Sequence, residues 1–390
     1  MEWSFNNTTT AMAIQQNALN ETRCIEVTHD NVGDFTYSRV DIAMVTVFMP
    51  IVFVVGVIGN AMVVYVFFRV THMRTVTNYY LASLAMADLF FLCSAVPVFW
   101  VQYSFTNVPI DHTALGVGVC KVVLTFSPDV CFIVSTMTVV VLTIERYVAI
   151  CWPMKFKTIS TKPKAVTTIV LTWVLAALYK SPQIYFAGVM ANCFDWSQYT
   201  NSSEYPSDVI TCDFCSIQSH GMRTCEIWRR SLTLDNLLIL MVIPVILILY
   251  FFIALQLYNL SKSTTGSAAS STRMKQQVIR MLMVTIATYI ICITPFRVLN
   301  LLNIWSYKIP PNMKWALVNM ARILQYTNAA VNPIIYNIMS DKYRQSFKQA
   351  FGFICICCSS VEKKHLKVPE HNHNQDGITH RVDRTDQSQI

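Results

Sequence analysis

Continuous apolar stretches, rather than alternating ones, organise this 390-residue chain. Between Asp41 and Arg69 lie 27 residues with no Asp, Glu, Lys or Arg, and between Asp235 and Lys262 lie 26. Similar stretches occupy about 79–101, 118–145, 165–187, 276–301 and 315–338, which makes seven. A helix needs roughly 20 mostly apolar residues to cross a bilayer. The fourth and sixth stretches are interrupted: Lys164 and Lys180 bracket 15 uncharged residues, and Arg280 and Arg297 bracket 16. Either alone would suit a buried soluble helix. Seven at regular spacing predict an all-α membrane protein, a seven-transmembrane helix bundle. Barrel strands would alternate over roughly 10 residues, and these runs do not.

Composition sharpens the picture. Hydrophobic residues make up 54% of the chain and charged residues 13%, against about 25% charged in ordinary soluble domains. With only 10 Gly, collagen-like and disordered classes are excluded. The net charge of +8 has no meaning until it is sorted by loop. Loops 69–78, 146–164 and 259–280 carry eleven Lys/Arg and no acid. Residues 1–42 and loops 102–119, 188–230 and 302–314 carry seven basic and twelve acidic residues. The positive-inside rule puts the first set in the cytoplasm and the N-terminus outside. The basic balance is therefore an inner-face property, not a nucleic-acid patch. Residues Met1–Asn20 show no basic n-region or apolar h-region, so the first span is expected to direct insertion. The expected layout is an extracellular tail (1–41), a spanning domain (42–340), a membrane-surface helix (341–353) and a disordered cytoplasmic tail (354–390).

Smaller signals agree with that topology. Asn6, Asn7, Asn20 and Asn201 head glycosylation sequons on the predicted outside. Asn259 heads another on the inner side and is read as accidental. Cys24, Cys120, Cys193, Cys212, Cys215 and Cys225 are outer cysteines, an even number in an oxidising compartment. Residues 341–353 set Tyr343, Phe347, Ala350 and Phe351 near one face and Lys342, Arg344 and Lys348 on a basic side, which suits a helix on the inner membrane surface. Cys355, Cys357 and Cys358 follow as candidates for palmitate.

An ionisable residue inside a span is costly and is a functional candidate by default. Asp88, Asp129, Glu145, Arg146, Arg297 and Arg322 are such residues, and Asn60, Asn328 and Asn332 add buried amides. Together with their neighbours they carry a resemblance. Gly59-Asn60, Leu84-Ala85-x-Ala87-Asp88, Cys120, Glu145-Arg146-Tyr147, Trp173, Pro244, Cys292-x-x-Pro295 and Asn332-Pro333-x-x-Tyr336 occur in order on the correct membrane sides. Over about 40–353 the chain resembles the rhodopsin-type (class A) G-protein-coupled receptors.

The resemblance implies that Arg146 pairs with Glu145 in the silent state and is released when the sixth span swings out for a heterotrimeric G protein. Arrestin and a receptor kinase are further implied partners. Pro244, Pro295 and Pro333 would be mobile joints. Asp88, Ser135, Asn328 and Asn332 match the family's pocket for an allosteric sodium ion; no other cofactor is expected. Cys120 would be tied to the second outer loop, and Val209-Ile210-Thr211, read as a short strand, favours Cys212 over Cys193, Cys215 or Cys225 as its partner. The chain departs from the family at Ile293, where a tryptophan is usual, and at Phe252, where a tyrosine is usual. Cys120 to Arg146 is one residue longer than the norm, which predicts a bulge or kink near Pro128.

The ligand class is argued from the outer ends of the spans. Retinal needs a lysine where this chain has Tyr326. A monoamine needs an acid one residue from Asp129, and Arg297 would repel its cation. Asp129 and Arg297 are expected either to pair with each other or to contact ligand. Gln102, Arg322, Gln325 and Tyr326 complete the candidate ligand set. Residues 73–81 are similar to those of neuropeptide receptors of the thyrotropin-releasing-hormone, neuromedin U and neurotensin type, so the expected ligand is an extracellular neuropeptide, the alternative a small amine. A transporter or channel would predict internal repeats or broken Gly-rich helices, and neither is found. Enzyme motifs such as HExxH, GxSxG or a phosphate-binding Gly loop do not occur in the chain.

Overall fold

The structure is a computed structural model that describes residues 24–199, 205–213, 215, 220–263, 268–304 and 311–351. The four sequons and Cys355, Cys357 and Cys358 lie outside the described residues. The long helices are α1 (Met49–Arg69), α2 (Val76–Phe105), α3 (Ser127–Cys151), α4 (Lys162–Lys180), α5 (Met222–Ser263), α6 (Ala268–Ile304) and α7 (Pro311–Met339), followed by the short α8 (Asp341–Phe351). Among the described residues, six helices are long and apolar enough to cross a membrane. The seventh, α7, carries a polar stripe instead: Asn319, Arg322, Gln325, Asn328 and Asn332 fall at helical spacing and are all buried. Its other face presents Leu317, Met320, Ile334 and Ile338 outward. The stripe thus faces the bundle, where a lipid-exposed polar group would be unsatisfied.

Close packing sets the seam of α1, α2 and α7. A Cβ at Gly56 would run into Leu92 Cδ1 and stand 3.0 Å from Ala330 Cβ, so any larger residue would push these neighbours apart. One turn on, Asn60 donates to Gly56 O and Ala329 O, each at 2.9 Å. Its amide replaces hydrogen bonds that apolar lipid could not supply. The indole of Trp173 donates to Ser83 Oγ at 3.2 Å and joins α4 to α2. Pro97, Pro244, Pro295 and Pro333 lie inside α2, α5, α6 and α7, each removing a ladder hydrogen bond.

α3 is entered through a π-helical segment, Val119–Phe126, immediately before Pro128. A π-turn takes up one extra residue. This accounts for the longer spacing from Cys120 to Arg146 and sets the direction in which Asp129 points. A second π-turn, Met44–Phe48, precedes α1.

The outer face is covered by a small sheet in the order β1 (Ile25–Glu26), β2 (Gly188–Asp195), β3 (Asp208–Asp213). β2 and β3 pair antiparallel, with Val189 opposite Cys212. β1 adds in parallel, with Ile25 opposite Phe194. The disulfides are Cys24–Cys193, Cys120–Cys212 and Cys215–Cys225, so all six outer cysteines are joined. Val27, Phe35, Phe194, Trp196, Val209 and Trp315 form one apolar cluster beneath this sheet. Trp315 Nε1 donates to Asp34 O at 2.9 Å, and Asn319 donates to Asp41 at 2.7 Å, which pins the segment before α1 to α7. Residues 24–41, read as part of a tail, are thus folded over the outer end of the bundle. On β2, the backbone N–H and hydroxyl of Ser197 hold the exposed Asp195 carboxyl below its ordinary range.

Candidate ligand pocket and inner-face switch

Under the sheet, a cavity is lined by Phe91, Ala95 and Phe99 of α2, Leu124, Pro128 and Asp129 of the α3 entry, Phe296 of α6, and Arg322, Gln325 and Tyr326 of α7. It thus brings together four of the six residues expected to contact ligand. The two others lie elsewhere. Gln102 is buried beneath the first outer loop, where it donates to Pro109 O and meets His112 Nε2 at 3.3 Å. Its bonds hold that loop rather than face the cavity. Arg297 is also buried, at 1% exposure, and lies behind the lining.

The expected pairing of Asp129 with Arg297 does not occur. Lys180, the last residue of α4, places its ammonium 3.2 Å from Asp129 Oδ2 and 2.9 Å from Asp235 Oδ2. Gln183, from the helical turn Pro182–Phe186, donates to Asp129 Oδ2 at 2.7 Å. Arg297 instead donates to Asn236 Oδ1 at 3.2 Å and lies 4.0 Å over the ring of Phe132. The reason is geometric. The end of α4 carries Lys180 between α3 and α5, so the compact ammonium reaches two carboxylates at once. The guanidinium, coming from α6, meets an amide and an aromatic face. Two buried carboxylates therefore face two buried cations, and leaving either acid alone would cost several kcal/mol.

Lys180, Gln183, Asp235 and Asn236 are residues the sequence reading missed. In the sequence, Lys180 and Asp235 are only charges that bracket apolar runs. The available signal is that each bounds an apolar run, where a side chain can turn inward. Arg322 completes the cluster of cations, 4.6 Å over Phe99 and 3.4 Å from Asn319 Oδ1.

Midway down the bundle, Asp88 accepts from Ser135 at 3.3 Å and from Asn332 at 2.9 Å. Asn328 is buried nearby but is not one of its hydrogen-bond partners. Among the described residues no cation lies within salt-bridge distance of Asp88. Below the outer cavity, Ile293 is 1% exposed and packs with Phe132, Ile239 and Tyr289, filling the place of the absent tryptophan with aliphatic volume. Tyr289 shares a hydrogen bond with Thr136 at 3.1 Å. Phe252 packs edge-on with Tyr147.

At the inner end, Arg146 and Glu145 pair at 3.2 Å. Thr77 of α2 bridges them: its hydroxyl donates to Glu145 Oε2 at 3.2 Å and accepts from Arg146 Nη2. Ser160 donates to Glu145 Oε1 at 3.3 Å. Among the described residues, Arg146 Nε and Tyr336 Oη are buried without a hydrogen-bond partner, so two donors at this end can be recruited by a rearrangement. α8 docks alongside, with Tyr343 donating to Asn78 Oδ1 at 3.2 Å and Ser346 Oγ 3.1 Å from His72 Nε2. Burial pushes the Tyr343 phenol well above its ordinary pKa, so this donor stays protonated.

An outer cavity, a polar site at mid-bundle and an inner arginine–carboxylate pair lie along a bundle with four proline-bearing helices, as the family resemblance implies. Comparison with known proteins agrees. The growth hormone secretagogue receptor type 1 of Sus scrofa is 31% identical over 330 residues, covering 80% of this chain and 81% of that protein. The same receptor of Homo sapiens is 31% identical over 326 residues, 80% and 81% of the two chains. The neuromedin-U receptor 2 of Mus musculus is 29% identical over 341 residues, 82% and 78% of the two chains. The model of the rhodopsin family of seven-transmembrane receptors matches residues 59–336, and the chain belongs to that family, as a multi-pass plasma-membrane receptor and not an enzyme.

Proposed function

We propose that this receptor is activated by an extracellular neuropeptide held in the cavity beneath the outer sheet, and that it signals by opening its inner face to a heterotrimeric G protein. The observation that carries the reading is the similarity to a neuromedin-U receptor along four-fifths of the chain, outer half included. The cavity supports it: Asp129, Arg322 and Gln325 offer polar contacts and Phe91, Phe99, Phe296 and Tyr326 offer apolar ones, as a peptide end requires. Asp195, Asp208 and Asp213 add acidic surface on the hairpin for a basic segment of the peptide.

Arg146, Glu145 and Tyr147 are the proposed inner switch, with Pro244, Pro295, Pro333, Asn332 and Tyr336 in the moving helices. Asp88, Ser135, Asn328 and Asn332 are read as a sodium site, because a buried carboxylate with a hydroxyl beside it and, among the described residues, no protein cation is a place where a monovalent ion lowers the cost of charge. Arrestin and receptor kinase belong to the same reading, as do glycans at Asn6, Asn7, Asn20 and Asn201 and palmitate at Cys355, Cys357 and Cys358.

A screen of amidated peptides and small amines, read as calcium or cAMP responses in cells expressing the receptor, tests the ligand class. A peptide response is expected, and a response to amines alone overturns it. With an agonist in hand, Arg146→Ala should keep binding and lose G-protein activation. Unchanged activation would remove the role given to Arg146.

A further inference from the structure

The cavity wall holds what an aromatic amine would ask for: the carboxylate of Asp129, with the rings of Phe91, Phe99, Phe296 and Tyr326 around it. A free acid in that setting would draw a ligand cation strongly. Asp129 is not free. From behind the lining, Lys180 approaches Oδ2 to 3.2 Å and Gln183 donates to the same oxygen at 2.7 Å. Lys180 is 4% exposed and is not part of the cavity wall.

A second acid locks this arrangement. Asp235 holds the same ammonium at 2.9 Å, and Tyr179 donates to Asp235 Oδ1 at 3.3 Å. Lys180 therefore cannot swing away from Asp129 without stranding two buried carboxylates. Arg297 acts on Asp129 only from a longer distance, because among the described residues no carboxylate lies within salt-bridge distance of that guanidinium.

We propose that Lys180 determines the charge class of ligand this receptor accepts: it neutralises Asp129 from the rear, so that the cavity rejects amines despite its acid and its aromatic rings. This deepens the peptide reading and rests on the same cavity. Asp129, Asp235, Lys180 and Arg297 sum to zero charge, and Arg322 on the cavity wall adds one positive charge in parent and variant alike. Removing Lys180 leaves two carboxylates against one guanidinium, a sum of −1, with Asp129 on the cavity wall. Lys180 touches no ligand. It is a positioning residue that acts through Asp129.

The test uses the purified full-length receptor and two probes of similar size, phenethylamine (a cation) and 3-phenylpropanoate (an anion), with binding read by ligand-observed NMR and thermal shift. The parent should show no preference for the amine. Lys180→Met should gain amine affinity by roughly tenfold or more, the worth of one charge-assisted hydrogen bond. Lys180→Arg should behave as the parent does, and Lys180→Met/Asp129→Asn should lose the gain.

If Lys180→Met does not reach the membrane, Lys180→Gln removes the charge while leaving an amide for Asp235. Amine binding by the parent equal to that of the variant overturns the proposal, as does a gain that survives Asp129→Asn. The parent measurement needs no variant, and a parent that prefers the amine overturns the proposal by itself. A Lys180 effect without any peptide agonist would remove the peptide reading alone, and a peptide agonist without a Lys180 effect would remove this one alone.

Discussion

Thr77→Val should raise the receptor's activity in the absence of agonist. Valine keeps the β-branched shape of threonine on α2 and removes only the hydroxyl. That hydroxyl donates to Glu145 Oε2 at 3.2 Å and accepts from Arg146, so it ties both members of the inner ion pair to a neighbouring helix. A hydrogen bond to a charged group is worth about 1.5–3 kcal/mol, and truncating one partner leaves the others to find solvent. The side chains of Arg146 and Glu145 are 18% and 8% exposed, so some of the loss is recovered by water. The lower end, about 1.5 kcal/mol, is the better figure, and Ser160 still holds Glu145 at 3.3 Å.

If the bridge exists only while Arg146 is held, the whole of that energy weighs against the silent state. A shift of about 1.4 kcal/mol is tenfold in an equilibrium. A receptor with an active population of about 1% would rise to about 10%. The assay is basal guanine-nucleotide exchange on G protein in membranes with matched receptor density. Thr77→Ser, which restores the hydroxyl, should return to the parental level. Basal exchange unchanged in Thr77→Val, at equal surface density, would refute the bridging role.

Other expectations follow from the packing and from the polar sites. Gly56→Val would drive a side chain into Leu92 and Ala330, and should cost about 1–3 kcal/mol of stability, seen as a lowered thermal midpoint in detergent; a variant as stable as its parent would show that the seam of α1, α2 and α7 is looser than the distances indicate. Removing the outer tether with Cys24→Ser/Cys193→Ser should loosen residues 24–41 by about 2–4 kcal/mol while leaving the bundle folded, read as faster proteolysis within that segment; an unchanged cleavage rate would place its stability in the apolar cluster alone. Asp88→Asn should abolish any stabilisation of the purified receptor by sodium chloride relative to choline chloride, and a sodium-dependent rise in midpoint that persists in the variant would exclude Asp88 as the ion's ligand.

Much of this molecule was legible along the chain. Spans longer than a soluble core needs, and basic residues confined to alternate loops, determine the number of helices and their direction, because the bilayer sets length and the inner leaflet selects charge. Gly59-Asn60, Asp88, Glu145-Arg146-Tyr147 and Asn332-Pro333-x-x-Tyr336 could be named as functional because polar and helix-breaking residues are expensive in a span. The extra residue before Arg146 announced a bulge, and the structure shows a π-helix there.

Only the tertiary structure decided which charges meet. Asp129 and Arg297 looked like partners because both interrupt apolar runs, yet a lysine at the end of α4 takes the acid and a phenylalanine face takes the arginine. Periodicity tells which face a residue is on, but pairing depends on helix rotation and depth to within about 1–2 Å. A π-turn of a single residue changes a side chain's direction by about 100°. The six outer cysteines likewise had many possible pairings, and a sheet that brings residue 24 beside residue 193 selected one. Local sequence determines where the membrane lies; distances between helices, which no local pattern encodes, decide what the charges inside it do.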